Sequence, residues 1–220
     1  MSNRKPEIVL SVGICLGTVI LVMWIRGGFD PGLWDTDNFQ QRALAAAKGM
    51  PRQLMNFPGI VDPPVASAET ATIRDDVDIV GLEVNGRHRA YCLSEMDSPS
   101  THVINDLIDH VPVTVTYCNI TRCVRVFTRP EELDKPLDVS VRGFADGQMV
   151  IHIADRDFNH DSAEIPLKEL AFERTAWGAW KSAYPDTDVC TGLHDFVYQK
   201  SRPAAPHSRD SGGDTSPAGE

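Results

Sequence analysis

Basic residues are in short supply. The 220-residue chain has 21 Lys and Arg against 31 Asp and Glu, a formal net charge of -10, and a surface of that sign repels phosphate, which argues against nucleic acid as a partner. Nucleotide chemistry lacks its signatures as well, since neither a Walker A sequence nor G-x-G-x-x-G occurs. The absence of G-x-S-x-G removes the hydrolase nucleophile elbow. Glycine and proline, 16 and 15 in number and in no repeated block, do not make a collagen, a solenoid or a wholly disordered chain. Five cysteines occur, but no C-x-x-C pair and no complete zinc set.

Long hydrophobic runs are also rare, and the one that exists sits at the start. Ile8 to Ile25 reads IVLSVGICLGTVILVMWI, free of charge, with Ser11 and Thr18 its only polar members. At about 1.5 Å per residue it spans about 27 Å, close to the hydrocarbon thickness of a bilayer. It exceeds the usual apolar core of a cleaved signal peptide, and Arg26, Gly27, Gly28 and Phe29 follow it in place of an A-x-A-like site. An uncleaved anchor over 8–26 is therefore expected. Arg4 and Lys5 precede it and only Arg26 follows closely, which puts residues 1–7 in the cytoplasm and the rest on the periplasmic side of the inner membrane. Gly13 and Gly17 form G-x-x-x-G beside Ser11 and Cys15, small groups that let a second helix approach closely, so an integral membrane protein is an expected partner.

Beyond the anchor, residues 27–72 read as a juxtamembrane segment and connector. Asp37 can cap a short helix ending at Gly49, and Pro51, Pro58, Pro63 and Pro64 favour an extended connector lying on or near the domain. Residues 200–220 hold Pro, Ser, Gly and charge without an aromatic or β-branched aliphatic residue, the composition of a disordered tail. Between these, residues 73–199 suit one core. They contain 12 Lys and Arg against 22 Asp and Glu, so the whole net charge belongs to this domain. A negative field there would steer a basic partner, a c-type cytochrome being one concrete example.

The periodicity of the domain is mainly two. Asp78 to Val84 and Arg87 to Leu93 flank Asn85-Gly86, a type I′ turn pair, and make a hairpin. Val111 to Cys118 alternates strictly and resumes at Cys123 to Arg129, a second hairpin. Leu137 to Phe144 and Met149 to Ala154 surround Asp146-Gly147, a third. Pro166 to Phe172 predicts a short helix, and Thr175 predicts the cap of another carrying Trp177 and Trp180, which would pack on the sheet. The expected fold is mostly β, of the α+β class: an antiparallel sheet of hairpins with a few short helices, plus one N-terminal transmembrane helix.

Val84-Asn85-Gly86 followed by Arg89-Ala90-Tyr91, then Val103-Ile104-Asn105-Asp106, Pro112-Val113-Thr114-Val115-Thr116-Tyr117-Cys118, and Trp177-Gly178-Ala179-Trp180-Lys181 before Tyr184-Pro185-Asp186-Thr187 form a series of motifs. In order and spacing, over residues 78–190, it resembles the bacterial DUF3179 family. The resemblance implies an exported or membrane-anchored protein and brings no established activity. Where family members usually have Ala-Tyr-Pro this chain has Ala90-Tyr91-Cys92. Where they have Asp-Arg-x-Thr-x-Ser-x-Trp it keeps only Asp155-Arg156.

Chemistry-bearing residues are few. With Cys15 in the anchor, Cys92, Cys118, Cys123 and Cys190 fall outside the membrane, where disulfides persist. Facing hairpin positions would bring Cys118 and Cys123 into disulfide range, leaving Cys92 for Cys190; free thiols or a metal pair at Cys118 and Cys123 are the alternatives. A copper site would need His or Met nearby, and His110, His152 and Met149 are available. Asp155, Asp157, Asn159 and Asp161 space oxygen ligands like the first half of a calcium loop, but His160 replaces the turn glycine and Pro166 the closing Glu, so a solvated acidic turn is expected. His152 and His160 near Asp155 and Asp157 lack a nucleophile to serve. Asn119-Ile120-Thr121 is a glycosylation sequon, incidental in a bacterial setting. No cofactor is implied. Two readings follow: a non-catalytic accessory or interaction subunit of a membrane complex, and, as the alternative, an extracytoplasmic thiol or copper protein using Cys118 and Cys123.

Overall fold

The structure is a computed structural model that describes residues 53–201. The anchor with Gly13 and Gly17, the short helix before Gly49 and the tail beyond Ser201 lie outside those residues. Among the described residues no helix is long and apolar enough to cross a membrane.

Among the described residues fourteen strands form three sheets. The outer sheet has the order β1 (Gln53–Phe57), β9 (Val139–Ala145), β10 (Gln148–Ile153), β11 (Arg156–Asn159). In the central sheet the order is β12 (Lys168–Glu169), β8 (Cys123–Thr128), β7 (Val111–Cys118), β6 (Val103–Ile108), β2 (Ile60–Val61). The helix-side sheet runs β13 (Glu173–Ala176), β4 (Asp78–Val84), β5 (Arg87–Cys92), β14 (Asp188–Cys190), β3 (Val65–Ser67). All pairings are antiparallel except β2 with β6 and β14 with β5. Two short helices, α1 (Trp177–Ala183) and α2 (Leu193–Ser201), complete a mostly β fold.

The layers follow from alternation along the strands. On β7, Val113, Val115 and Tyr117 face the helix-side sheet and share a core with Val80, Leu82 and Tyr91, while Cys118 joins Val103 and Phe127 against Val141, Met149 and Ile151 of the outer sheet. A third core lies on the far side of the helix-side sheet, where Ile79, Ala90 and Val189 meet Trp177 and Trp180. Both tryptophans pack on the sheet as their spacing implies. Trp180 lies so close over β4 that a Cβ on Gly81 would come within 2.5 Å of its ring.

All three expected hairpins form, at Asn85-Gly86, at residues 119–122 and at Asp146-Gly147; both residues of each Asx-Gly pair have positive φ, as type I′ turns require. A fourth, β6 to β7, turns at Asp109 and His110 with φ of 48° and 68°, a turn without glycine. The proline-rich connector is extended, and its three strands each add an edge to a different sheet: β1 to the outer, β2 to the central, β3 to the helix-side.

Two local expectations are corrected. Pro166 to Phe172 is not a helix: Lys168 and Glu169 pair with Thr128 and Phe127, and the Leu170 N–H donates to the Val126 carbonyl at 2.9 Å, because the open edge of β8 offers partners that a seven-residue helix would forgo. Thr175 does not cap α1. It belongs to β13, opposite Ile79, and the first N–H groups of the helix are met by backbone, Trp177 donating to Val77 O at 2.8 Å and Gly178 to Asp75 O at 2.9 Å.

Candidate functional site

The hairpin β7–β8 puts Cys118 directly opposite Cys123, yet all four cysteines of the described region are free thiols. The Cys123 sulfur lies 3.8 Å from the Val124 carbonyl oxygen, and burial pushes its thiol up. For Cys92 and Cys190 the correction has a geometric cause. Cys190 pairs with Tyr91 and shares its face, whereas Cys92, one residue further, points to the opposite face and the third core, so the sheet itself separates them. Burial raises both thiols, Cys92 to about 12, which leaves them uncharged and unreactive.

Cys118 opens instead onto a cavity of about 250 Å³ between the central and outer sheets, shared with His102, Met149, Met55, Ile120 and Phe144. Exposed Gln53 and Asn119 also line it and mark its mouth. One wall is β1, the first of the connector's three strands. It lies against β9 at Gly143, where φ is +141° and a Cβ would sit 1.9 Å from the Gln53 carbonyl oxygen.

His102 is the polar group of this cavity. It is 6% exposed, and its Nδ1 lies 2.7 Å from the Met96 carbonyl oxygen. Since a carbonyl only accepts, Nδ1 carries the proton and Nε2 the lone pair in the neutral ring. Burial holds its pKa below the ordinary imidazole value, against the opposing pull of the Met96 bond and Asp97, so the ring is neutral at pH 7. Among the described residues Nε2 has no hydrogen-bond partner, and the ring lines the cavity.

Behind the cavity the central sheet carries a line of satisfied polar groups. Thr116 donates its hydroxyl hydrogen to the Arg125 carbonyl at 2.9 Å, so at 2.8 Å it can only accept from His160 Nε2–H. Burial first and the Arg125 charge second lower the His160 pKa to about 4. Thr114 donates to Asn105 Oδ1 at 2.8 Å, and Asn105 in turn donates to Val139 O at 2.9 Å, tying β6 to the outer sheet.

A second, partly buried polar cluster lies on the opposite face of the central sheet. Arg89 reaches Asp106 at 2.9 Å and Asp188 at 3.2 Å, Tyr91 OH donates to Asp106 at 2.7 Å, and the Leu107 N–H donates to the other Asp106 oxygen at 2.7 Å. Burial opposes the Arg89 charge, but Asp106 more than offsets it and holds the guanidinium above its ordinary value. These groups consume one another's hydrogen-bonding capacity, with Arg89 Nε alone unpartnered. The cluster is a strut between two sheets, without a cavity beside it among the pockets described.

The remaining expected residues are dispersed. Asp155, with φ of 70°, turns β10 into β11; Asp157 stands on β11, its carboxylate 2.7 Å from His152 Nδ1, and Arg142 is 3.8 Å away. The acidic segment is thus a hairpin turn and a paired strand. His110 pairs with Asp134 at 2.5 Å on the surface and does not line the cavity of Cys118. Among the described residues no three His, Cys, Asp or Glu side chains are grouped to hold a metal. His102, Arg89, Tyr91 and Asp106 were not singled out as site residues by spacing. The available signal was the polar pair Asn105-Asp106 inside the otherwise apolar run Val103 to Ile108, with His102 immediately before the run.

No curated protein and no solved structure matches the chain. Residues 55–201, from the cavity wall at Met55 to the end of α2, match the model of the family described as protein of unknown function DUF3179, and the chain belongs to that family.

Proposed function

We propose that this chain is a single-pass, membrane-anchored accessory protein, its N-terminus in the cytoplasm and its acidic domain on the periplasmic side. It presents the cavity between the central and outer sheets to a membrane complex. The observation that carries this reading is the position of β1: the first described strand, the one nearest the expected anchor in the chain, is itself a wall of the cavity. The partner class that suits the net charge of the domain is a basic protein, a c-type cytochrome among the concrete examples, alongside an integral membrane protein packed on Gly13 and Gly17.

The test is copurification of the full chain from gently solubilised membranes. A stoichiometric membrane partner is the expected result; a chain that emerges alone, folded and in native lipid, refutes the accessory role. Association with the basic partner should weaken from 0.01 M to 0.15 M salt, as the Debye length shrinks from about 30 Å to about 8 Å. Salt-independent association would remove the steering role of the charge.

The thiol or copper alternative retains support from a specific observation, the placement of Cys118 in the same cavity as His102 and Met149. It changes the companions of Cys118: Cys123, His110 and His152 do not line that cavity.

A further inference from the structure

We infer that the cavity between the central and outer sheets is a copper(I) site whose donors are Cys118 Sγ, His102 Nε2 and Met149 Sδ. The inference deepens the accessory reading by naming the cargo the domain holds beside its partner. Three independent features converge on it.

The first is donor type. Thiolate and thioether are soft ligands that select copper(I), and imidazole tolerates it; divalent magnesium, calcium or manganese favour carboxylate oxygens, and no Asp or Glu lines this cavity. The second is the preparation of His102. Its Nδ1–H is bound to the Met96 carbonyl at 2.7 Å, the arrangement by which metal-binding histidines fix their tautomer and aim the other nitrogen. That other nitrogen is unpartnered on a side chain more than nine-tenths buried. The third is the wall. Met55, Ile120 and Phe144 are apolar, so a strongly hydrated cation would lose its water shell without compensation, whereas a monovalent soft ion bound by two sulfurs loses less.

Binding involves no change of oxidation state. The Cys118 S–H bond breaks, its proton leaves to solvent, and the sulfur lone pair bonds copper(I), so affinity rises with pH. The cavity, at about 250 Å³, exceeds what one ion fills. The remaining room lies toward the mouth at Gln53 and Asn119, from which a partner's ligand could reach the metal.

The full chain, in detergent and fully reduced, is titrated anaerobically with copper(I) against a chromophoric copper(I) chelator, and the loaded protein is examined by X-ray absorption. One copper per chain with two sulfur scatterers and one nitrogen scatterer is expected. Cys118→Ser and His102→Gln should abolish this binding, and Cys123→Ser should leave it unchanged. Met149→Leu keeps the side-chain volume and so the fold, and should cost one sulfur scatterer and about tenfold in affinity. Absence of one-to-one binding, or binding of unchanged affinity and sulfur count in Met149→Leu, overturns the assignment. A chain that copurifies with its membrane partner but takes no copper overturns the copper site alone; one that takes copper as expected but has no partner refutes the accessory role and leaves the site standing.

Discussion

His160 should make the stability of this domain fall as the solution is acidified, over a range in which most carboxylates are still charged. Its ring is 1% exposed, hydrogen-bonded through Nε2 to Thr116, and its pKa is lowered to about 4 by burial and then by Arg125, with His102 adding to the same direction and Asp161 opposing. The unfolded chain has an ordinary imidazole near 6.5, so between those values the unfolded state binds the extra proton and acidification favours it. The contribution is complete above pH 6.5, declines as pH falls toward 4, and changes no further below that. From pH 7.5 to pH 5.0 the expected loss from this one group is about 2 kcal/mol, at about 1.4 kcal/mol for each tenfold in proton activity. Denaturant unfolding of the full chain in mild detergent at the two pH values, followed through the near-ultraviolet circular dichroism of the packed tryptophans, measures the total. His160→Gln keeps an amide N–H for Thr116 and cannot titrate. The wild-type loss minus that of the variant should recover the 2 kcal/mol estimate to within about a factor of two. Equal losses in both proteins would show that His160 is not neutral and buried as described.

Gly143→Ala should detach β1 from β9, since the new Cβ would fall 1.9 Å from Gln53 O at a φ of +141°. Faster amide exchange at Gln53 to Phe57, with the central sheet unchanged, is the expected signature, and unchanged exchange would refute the close approach. Asp106→Asn should cost about 3 kcal/mol in denaturant unfolding, the low end for a buried pair, because it leaves the partly buried Arg89 charge with Asp188 as its remaining carboxylate; a loss below about 1 kcal/mol would mean that the cluster is hydrated. Gly13→Leu combined with Gly17→Leu should leave insertion intact and reduce copurification with an integral membrane partner, since bulky side chains separate the helices. Undiminished copurification would place the contact elsewhere.

Hairpins with an Asx-Gly pair were legible because only such residues accept two consecutive positive φ values cheaply, and the β7–β8 pair because its alternation is strict. The β6–β7 turn was not, since Asp109 and His110 adopt the same geometry without glycine. Short edge strands escape pattern reading for another reason: β12 is two residues long and exists only because β8 offers an open edge. The site divides in the same way. Cys118 and Cys123 could be placed opposite each other by counting along one hairpin. The meeting of Cys118 with His102 and Met149 depends on two sheets stacking, and Met149 is 31 residues further along the chain. Even the Cys92 and Cys190 correction is a matter of which face each side chain occupies, which requires knowing that β14 lies beside β5 in parallel.

The insertion of β14 between β5 and β3 has a consequence for the order of events during synthesis. β3 is complete by residue 67 but has no partner until residues 188–190 arrive, because its only neighbour in the sheet is β14. Almost the whole domain must therefore be made before the helix-side sheet can close, and the slow step of folding should be this long-range closure. Until then the β5 edge and the Tyr91 face stand open, the stage at which the chain is most exposed to aggregation and proteolysis.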